Sequence, residues 1–183
     1  MNCYDFDKTI YNGDSTKDFY LFCLKRHKGI IKTFPGLIKA FTKFYVLKKG
    51  NKTDFKEKMY RFLPYVNIEK DLPEFWASHK NNIKDWYYKT QREDDVIISA
   101  SPEFLLEPIC KELGIKYLMA SKVDMKTGKY EGINCHGKEK VRRFQEEIEF
   151  MRCRWEKLLK AGDPYYNKHF SLTKWNYSLK PFE

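Results

Sequence analysis

Asp5-Phe6-Asp7-Lys8-Thr9-Ile10 is the stretch on which the reading of this chain turns. Residues 2–6 have a strand pattern, and the two acids stand at its end. Side chains alternate along a strand, so Asp5 and Asp7 fall on one side, roughly 7 Å apart along the backbone. Two carboxylates that close repel each other unless a proton or a cation stands between them. A hard, oxygen-seeking Mg²⁺ meets that need and also holds a phosphate oxygen. Asp5 is then suited to nucleophilic attack that forms an aspartyl-phosphate. Asp7 is suited to protonating the leaving oxygen and later activating water. Thr9 is suited to fixing the turn by a hydrogen bond. An Asp-x-Asp turn after an edge strand is common, so the pair acquires meaning from what surrounds it.

Downstream, Asn12-Gly13-Asp14 reads as a loop, with Asp14 or Ser15 as the cap of a helix running to about residue 27. A second helix is expected from about Thr33, with Pro35 in its first turn. Phe34, Leu37, Ile38, Phe41, Phe44 and Tyr45 recur at helical spacing and define one apolar face. Lys32, Lys39 and Lys43 fall elsewhere on the same helix. Further helices are expected over residues 54–62 and 72–89. The pattern then changes: residues 95–99 form a β-branched run like a buried parallel strand. Residues 102–113 read as a helix, 116–120 as a strand, and 123–133 as a hairpin turning at Thr127-Gly128. Helix resumes after Gly137. A strand, a long helical insert and a strand–helix–strand describe an α/β core interrupted by a cap. In such sheets ligands gather at the carboxyl ends of strands, where the acidic pair and Ser99 both fall.

Composition narrows the function classes. Of 183 residues, 42% are hydrophobic and 17% aromatic, too apolar for a disordered chain. No window approaches the roughly 18 apolar residues of a membrane span. Asp5 and Asp7 also break any leader-like pattern, so a cytoplasmic protein is expected. Five cysteines without a CxxC pair and four scattered histidines offer neither a disulfide framework nor zinc spacing. Net charge is +10, and the whole excess lies in residues 15–90. Residues 15–50 alone carry nine Lys or Arg against one acid. No nucleic-acid motif accompanies them, so no nucleic-acid partner is expected. A helical bundle with its apolar face inside and its lysines in solvent is the ordinary expectation. A membrane-surface or anionic-partner module is the alternative.

Together these motifs resemble those of the haloacid-dehalogenase superfamily, in particular its phosphoserine-phosphatase-like branch (subclass IB). Asp5-Phe6-Asp7-Lys8-Thr9-Ile10 is similar to the superfamily's first motif in every defining position. Val96-Ile97-Ile98-Ser99 resembles the second, a hydrophobic strand ending in a phosphoryl-binding hydroxyl, with Ser99 preferred to Ser101. Gly137-Lys138-Glu139-Lys140-Val141 resembles the third, with Lys140 the better match and Lys138 the alternate. The resemblance implies a Rossmannoid three-layer core from residues 1–14 and 91–183, with a helical cap over 15–90. It implies Asp5 and Asp7 as catalytic and Mg²⁺-binding residues, Asp7 through its backbone carbonyl. Thr9, Ser99 and Lys140 become the phosphate-binding residues of an enzyme that hydrolyses a small phosphomonoester.

The resemblance weakens toward the C-terminus. The fourth motif should offer Gly or Ser before an Asp, with a second acid shortly after. Gly162-Asp163 follows a helix-like run instead, and Asn167 stands where the second acid belongs. From about residue 148 the sequence is divergent. A catalytically impaired binding domain that keeps the fold is therefore the competing expectation.

Overall fold

The computed structural model describes residues 2–49, 52–146 and 148–149. The chain divides into two compact units, Met1–Val141 and Arg142–Glu183. In the second, the described residues are helical, and Arg142 pairs with Glu146 one turn on. The first holds every element described below.

Three parallel strands lie in the order β1 (Cys3–Tyr4), β2 (Val96–Pro102), β3 (Tyr117–Ser121). Cys3 pairs with Val96 and Tyr4 with Ile97, while Ile97 and Ile98 pair with Leu118 and Met119. The central strand is buried along almost its whole length, which explains its unbroken apolar run. Its register shifts between Ile98 and Pro102, so Ser99, Ala100 and Ser101 sit in an irregularity that re-aims their side chains. β1 is shorter than the expected 2–6, because the chain leaves the sheet into the first acidic turn. It is tied at its start instead. Buried Asp95 accepts from the Asn2 side chain (3.1 Å), and the Val96 amide donates to the Asn2 carbonyl (2.8 Å). β2 is longer than the expected 95–99 and includes Ser101.

Between the acidic turn and β2 the described elements are helices. α1 (Ser15–Arg26) starts at Asp14, whose carboxylate accepts from the Lys17 amide, as the cap pattern implied. α2 (Phe34–Phe41) has Pro35 in its first turn and widens into a π-turn over Thr42–Val46. α3 (Lys52–Tyr60), α4 (Ile68–His79) and α5 (Asp85–Thr90) follow. The single helix expected over 72–89 is two helices. A short 3₁₀ turn ends at Asn82, and Ile83 and Lys84 are extended. They support the acidic turn, as Asn12 N–H donates to the Asn82 carbonyl (2.8 Å) and Lys84 N–H to that of Ile10 (2.9 Å). After β2, α6 (Glu103–Glu112) returns the chain to β3. The expected hairpin is a loop with one antiparallel bridge, Val123 to Tyr130.

Sheet and helices share one apolar cluster, dominated by aromatic rings. Phe6 stacks on Tyr11, Trp76 meets both edge-on at about 6 Å, and Phe75 packs against Phe19 with centroids 5.2 Å apart. The Trp76 indole N–H donates to the Leu105 carbonyl (2.8 Å), joining α4 to α6. Buried Asp71 is satisfied by the Asn67 amide and His27 Nε2, with Arg26 nearby. The amphipathic face of α2 departs from the ordinary expectation. Phe34 and Leu37 pack on the cluster, but Ile38, Phe41 and Tyr45 are exposed.

Candidate active site

The acidic turn is held by its backbone and by three buried side chains. The amides of Ile10 and Tyr11 both donate to the Phe6 carbonyl (3.0 and 2.9 Å), and Lys8 N–H donates to Gly13 (3.0 Å). Lys8 adopts a left-handed conformation (φ 64°), which lets the chain reverse tightly. Phe6, Ile10 and Tyr11 are fully buried and anchor the loop in the aromatic cluster. Tyr11 Oη donates to Asp18 (2.9 Å) and accepts from Asn82 (3.2 Å). Thr9, expected to fix the turn, has no side-chain hydrogen bond among the described residues; backbone bonds do that work.

Asp5 and Asp7 meet different surroundings. Asp5 is half exposed; one oxygen accepts from the Phe6 amide (2.9 Å), and the other lies 2.7 Å from Lys140 Nζ. Asp7 is turned inward. Its Oδ1 accepts from the Ser15 amide (2.7 Å) at the N-terminus of α1, where the helix dipole favours negative charge. Its Oδ2 accepts from the Ser101 hydroxyl. Burial pushes the Asp7 carboxyl up from the ordinary aspartate value, against the hydrogen bonds from Ser101 and Ser15, which lower it. One carboxylate is thus open and paired with a cation, while the other is turned inward and bound by the Ser101 hydroxyl and the Ser15 amide.

The other expected residues separate into two groups. Lys140 comes to the pair, whereas Lys138 is exposed. Lys140 stands in the first turn of a helix that starts beyond Gly137, a glycine in the left-handed region (φ 58°). The loop before it is set by Ser121, which accepts from the Cys135 amide (2.9 Å) and donates to Asn134 (3.0 Å). Ser99 is fully buried, and its hydroxyl accepts from the Ser101 amide (3.1 Å). Ser101 is the hydroxyl that touches Asp7, and it also lies 2.9 Å from Thr16 Oγ1. Strand alternation puts Ser99 and Ser101 on one side; the irregularity in β2 is what divides their tasks. Ser15 is expected from the sequence only as an alternative helix cap and Thr16 not at all, since a helix start rich in small polar residues carries no chemical signature. Lys56 of α3 donates to the Ala100 carbonyl (3.2 Å), so a helix of the insert reaches the same strand end. Asp163 and Asn167 lie outside the described residues.

Among the described residues no three His, Cys, Asp or Glu side chains form a metal-holding group. The acidic pair nevertheless supplies only hard oxygen donors, and Asp5 is open on one side. That donor chemistry fits a divalent cation which retains several waters.

The model of the haloacid dehalogenase-like hydrolases matches residues 3–164, nearly the whole chain and all three motifs. Two curated proteins of Mycobacterium tuberculosis are each 24% identical over 164 residues, covering 78% of this chain and 55% of theirs. One, from strain H37Rv, is described as a "probable phosphatase"; the other, from strain CDC 1551, is uncharacterized. The chain thus spans about half the length of the curated relatives it matches. A crystal structure of a protein of unknown function from Bordetella pertussis Tohama I superposes with a TM-score of 0.66. It is 18% identical, over 82% of this chain and 74% of its own. That likeness is one of fold, and it agrees with the parallel sheet and helices described above. With its three motifs in order and its α/β architecture, the chain belongs to the haloacid dehalogenase-like hydrolase family.

Proposed function

We propose that the chain is a phosphatase for a small phosphomonoester that works through an aspartyl-phosphate on Asp5, with Mg²⁺ as cofactor. The observation that carries this reading is the division of labour within the acidic pair. Asp5 is open and lies 2.7 Å from Lys140 Nζ, while Asp7 is enclosed and its carboxyl pushed up by burial.

In the first step an oxygen of Asp5 attacks phosphorus and the bond to the substrate alkoxide breaks. Asp7 delivers its proton to that leaving oxygen. In the second, Asp7 takes a proton from water as the water oxygen attacks phosphorus. The phosphorus–Asp5 bond breaks, releasing phosphate and restoring the Asp5 carboxylate and the protonated Asp7. Lys140 offsets charge on Asp5 and on the phosphoryl oxygens throughout. Ser101 and the Ser15 amide keep Asp7 aimed, and Ser99 stabilises the strand end that carries Ser101. Thr9, on the same turn, is available to the phosphate. The Asp5 carboxylate and the Asp7 carbonyl would hold the cation, which supplies positive charge beside the phosphoryl group.

Residues 15–90 act in this reading as the cap that selects substrate and excludes water from a core formed by 1–14 and 91–183. The contact from Lys56 to Ala100 supports that role. The buried thiols of Cys23 and Cys110 suit a reducing compartment such as the cytoplasm.

Hydrolysis of an aryl phosphate in the presence of Mg²⁺ tests the mechanism. Asp5→Asn should lower turnover by about a thousandfold or more while leaving the circular dichroism spectrum unchanged. Wild-type turnover in that variant would remove Asp5 as the nucleophile.

A further inference from the structure

The helical insert carries a surface that the phosphatase reading does not use. No residue of α2 is buried, although Phe34–Phe41 is one of the most apolar helices in the chain. Ile38, Phe41 and Tyr45 follow one another along its exposed side, and Val46 and Leu47 prolong the patch past the π-turn. Each is at least half exposed. The segment is nonetheless fastened to the body, because Phe44 stacks on Phe55 of α3 and Tyr45 meets the same ring edge-on. An apolar patch held outward on an ordered helix marks an interaction site.

Charge identifies the partner. From residue 19 to residue 53 the sequence has nine Lys or Arg and no acid. Beside the patch, α2 and α3 enclose a groove of about 480 Å³. Lys39, Lys43 and Lys49 face Lys58 and Arg61 across it, with Asp54 and Glu57 as its acids. Glu57 is already engaged by the Tyr130 amide (3.2 Å). Among the described residues none of the five cations has an ion pair, so the groove presents excess positive charge next to exposed hydrocarbon.

We infer that the face formed by α2, its π-turn and the α2–α3 groove docks on an anionic lipid bilayer. Ile38, Phe41, Tyr45, Val46 and Leu47 enter the boundary between headgroups and acyl chains, and the groove lysines meet lipid phosphates. A helix with an apolar side and flanking lysines has the composition of an interfacial segment, and cations near an anionic leaflet add to its affinity. No helix among the described residues is long and apolar enough to cross a membrane, so the contact is with the surface.

Other occupants fit less well. A second copy related by two-fold symmetry would bring the same lysines face to face. The segment 151–183 is itself basic, with seven Lys or Arg against three acids. A nucleic-acid backbone would leave Ile38, Val46 and Leu47 in water.

The test is co-sedimentation of the full chain with vesicles of phosphatidylcholine alone or mixed with phosphatidylglycerol. Binding is expected on the anionic vesicles, weakening as NaCl is raised. Phe41→Ser with Leu47→Ser, and separately Lys39→Glu with Lys43→Glu, should each weaken it by about tenfold or more. Both pairs should leave aryl phosphate turnover and thermal melting unchanged, since none of these residues touches the acidic pair or the buried cluster. Failure to bind anionic vesicles would overturn the inference, as would equal binding to both compositions or binding that both double variants retain. So would a dimer, seen by sedimentation velocity, that the Phe41→Ser, Leu47→Ser variant dissolves without any vesicle binding by the parent.

Discussion

α4 and α2 have the same kind of amphipathic pattern and opposite fates. α4 buries Leu72, Phe75 and Trp76, and even its buried Asp71 is met by His27 and Arg26. No residue of α2 is fully buried, and around the groove beside it five cations outnumber the two acids Asp54 and Glu57. The difference lies in position. α4 lies over the acidic turn and α6, where Phe6, Tyr11 and Leu105 wait to be covered. α2 reaches the body through Phe34 and Leu37 and through its contacts with α3. Periodicity states that a face exists; the rest of the chain decides whether anything covers it.

Truncating a ring in each helix separates the two environments by the largest expected effect. Phe75→Ala should cost about 3–5 kcal/mol in urea unfolding, because it empties a site filled by Phe19, Phe22 and Trp76. A loss below about 1 kcal/mol would mean that the aromatic cluster is looser than its geometry indicates.

The attachment of α3 can be tested from its other end. Gly128 is left-handed (φ +71°), and a Cβ there would come within 2.5 Å of the Tyr60 carbonyl. Gly128→Ala should destabilise the fold by about 1–3 kcal/mol, since both backbone strain and a backbone clash oppose it. An unchanged melting curve would show that the 124–130 loop does not brace α3.

Burial also has a cost in the site, which Asp7→Asn makes measurable. The Asp7 carboxyl is raised in the folded state, so folding favours its protonated form. Its contribution to stability is therefore greatest below the ordinary aspartate value and is lost as pH rises through the raised folded value. Asparagine keeps an acceptor for the Ser15 amide without the charge. In metal-free buffer the variant should melt higher than the parent near neutral pH, the gap closing toward about pH 4. A variant that melts lower near neutral pH would show that the hydrogen bonds outweigh burial. The smallest effect belongs to α2: Phe41→Ala should change stability by no more than about 0.5 kcal/mol. A larger loss would place the ring in the body's core.

Much of the site was legible because its chemistry is local. Asp5, Asp7 and the turn between them lie within a few residues, although β1 ends at Tyr4 and the tight turn, not strand alternation, sets the two acids. The helix cap at Asp14, the parallel β-branched run and the helix after Pro102 are likewise short-range consequences of side-chain shape and hydrogen bonding. Tertiary structure decided the rest. It brought Lys140 to Asp5 across 135 residues and chose it over Lys138, because helix geometry presents only one of the two. It gave Ser101 the contact with Asp7 that the motif resemblance assigned to no residue, through a register shift between β2 and β3 that no single segment encodes. It split the helix expected over 72–89, since the amides of Asn12 and Lys84 needed partners that only the folded chain supplies. It also left the face of α2 uncovered. Periodicity and capping are properties of neighbouring residues, whereas coverage, strand register and pairing across the sheet depend on what the remainder of the chain brings alongside.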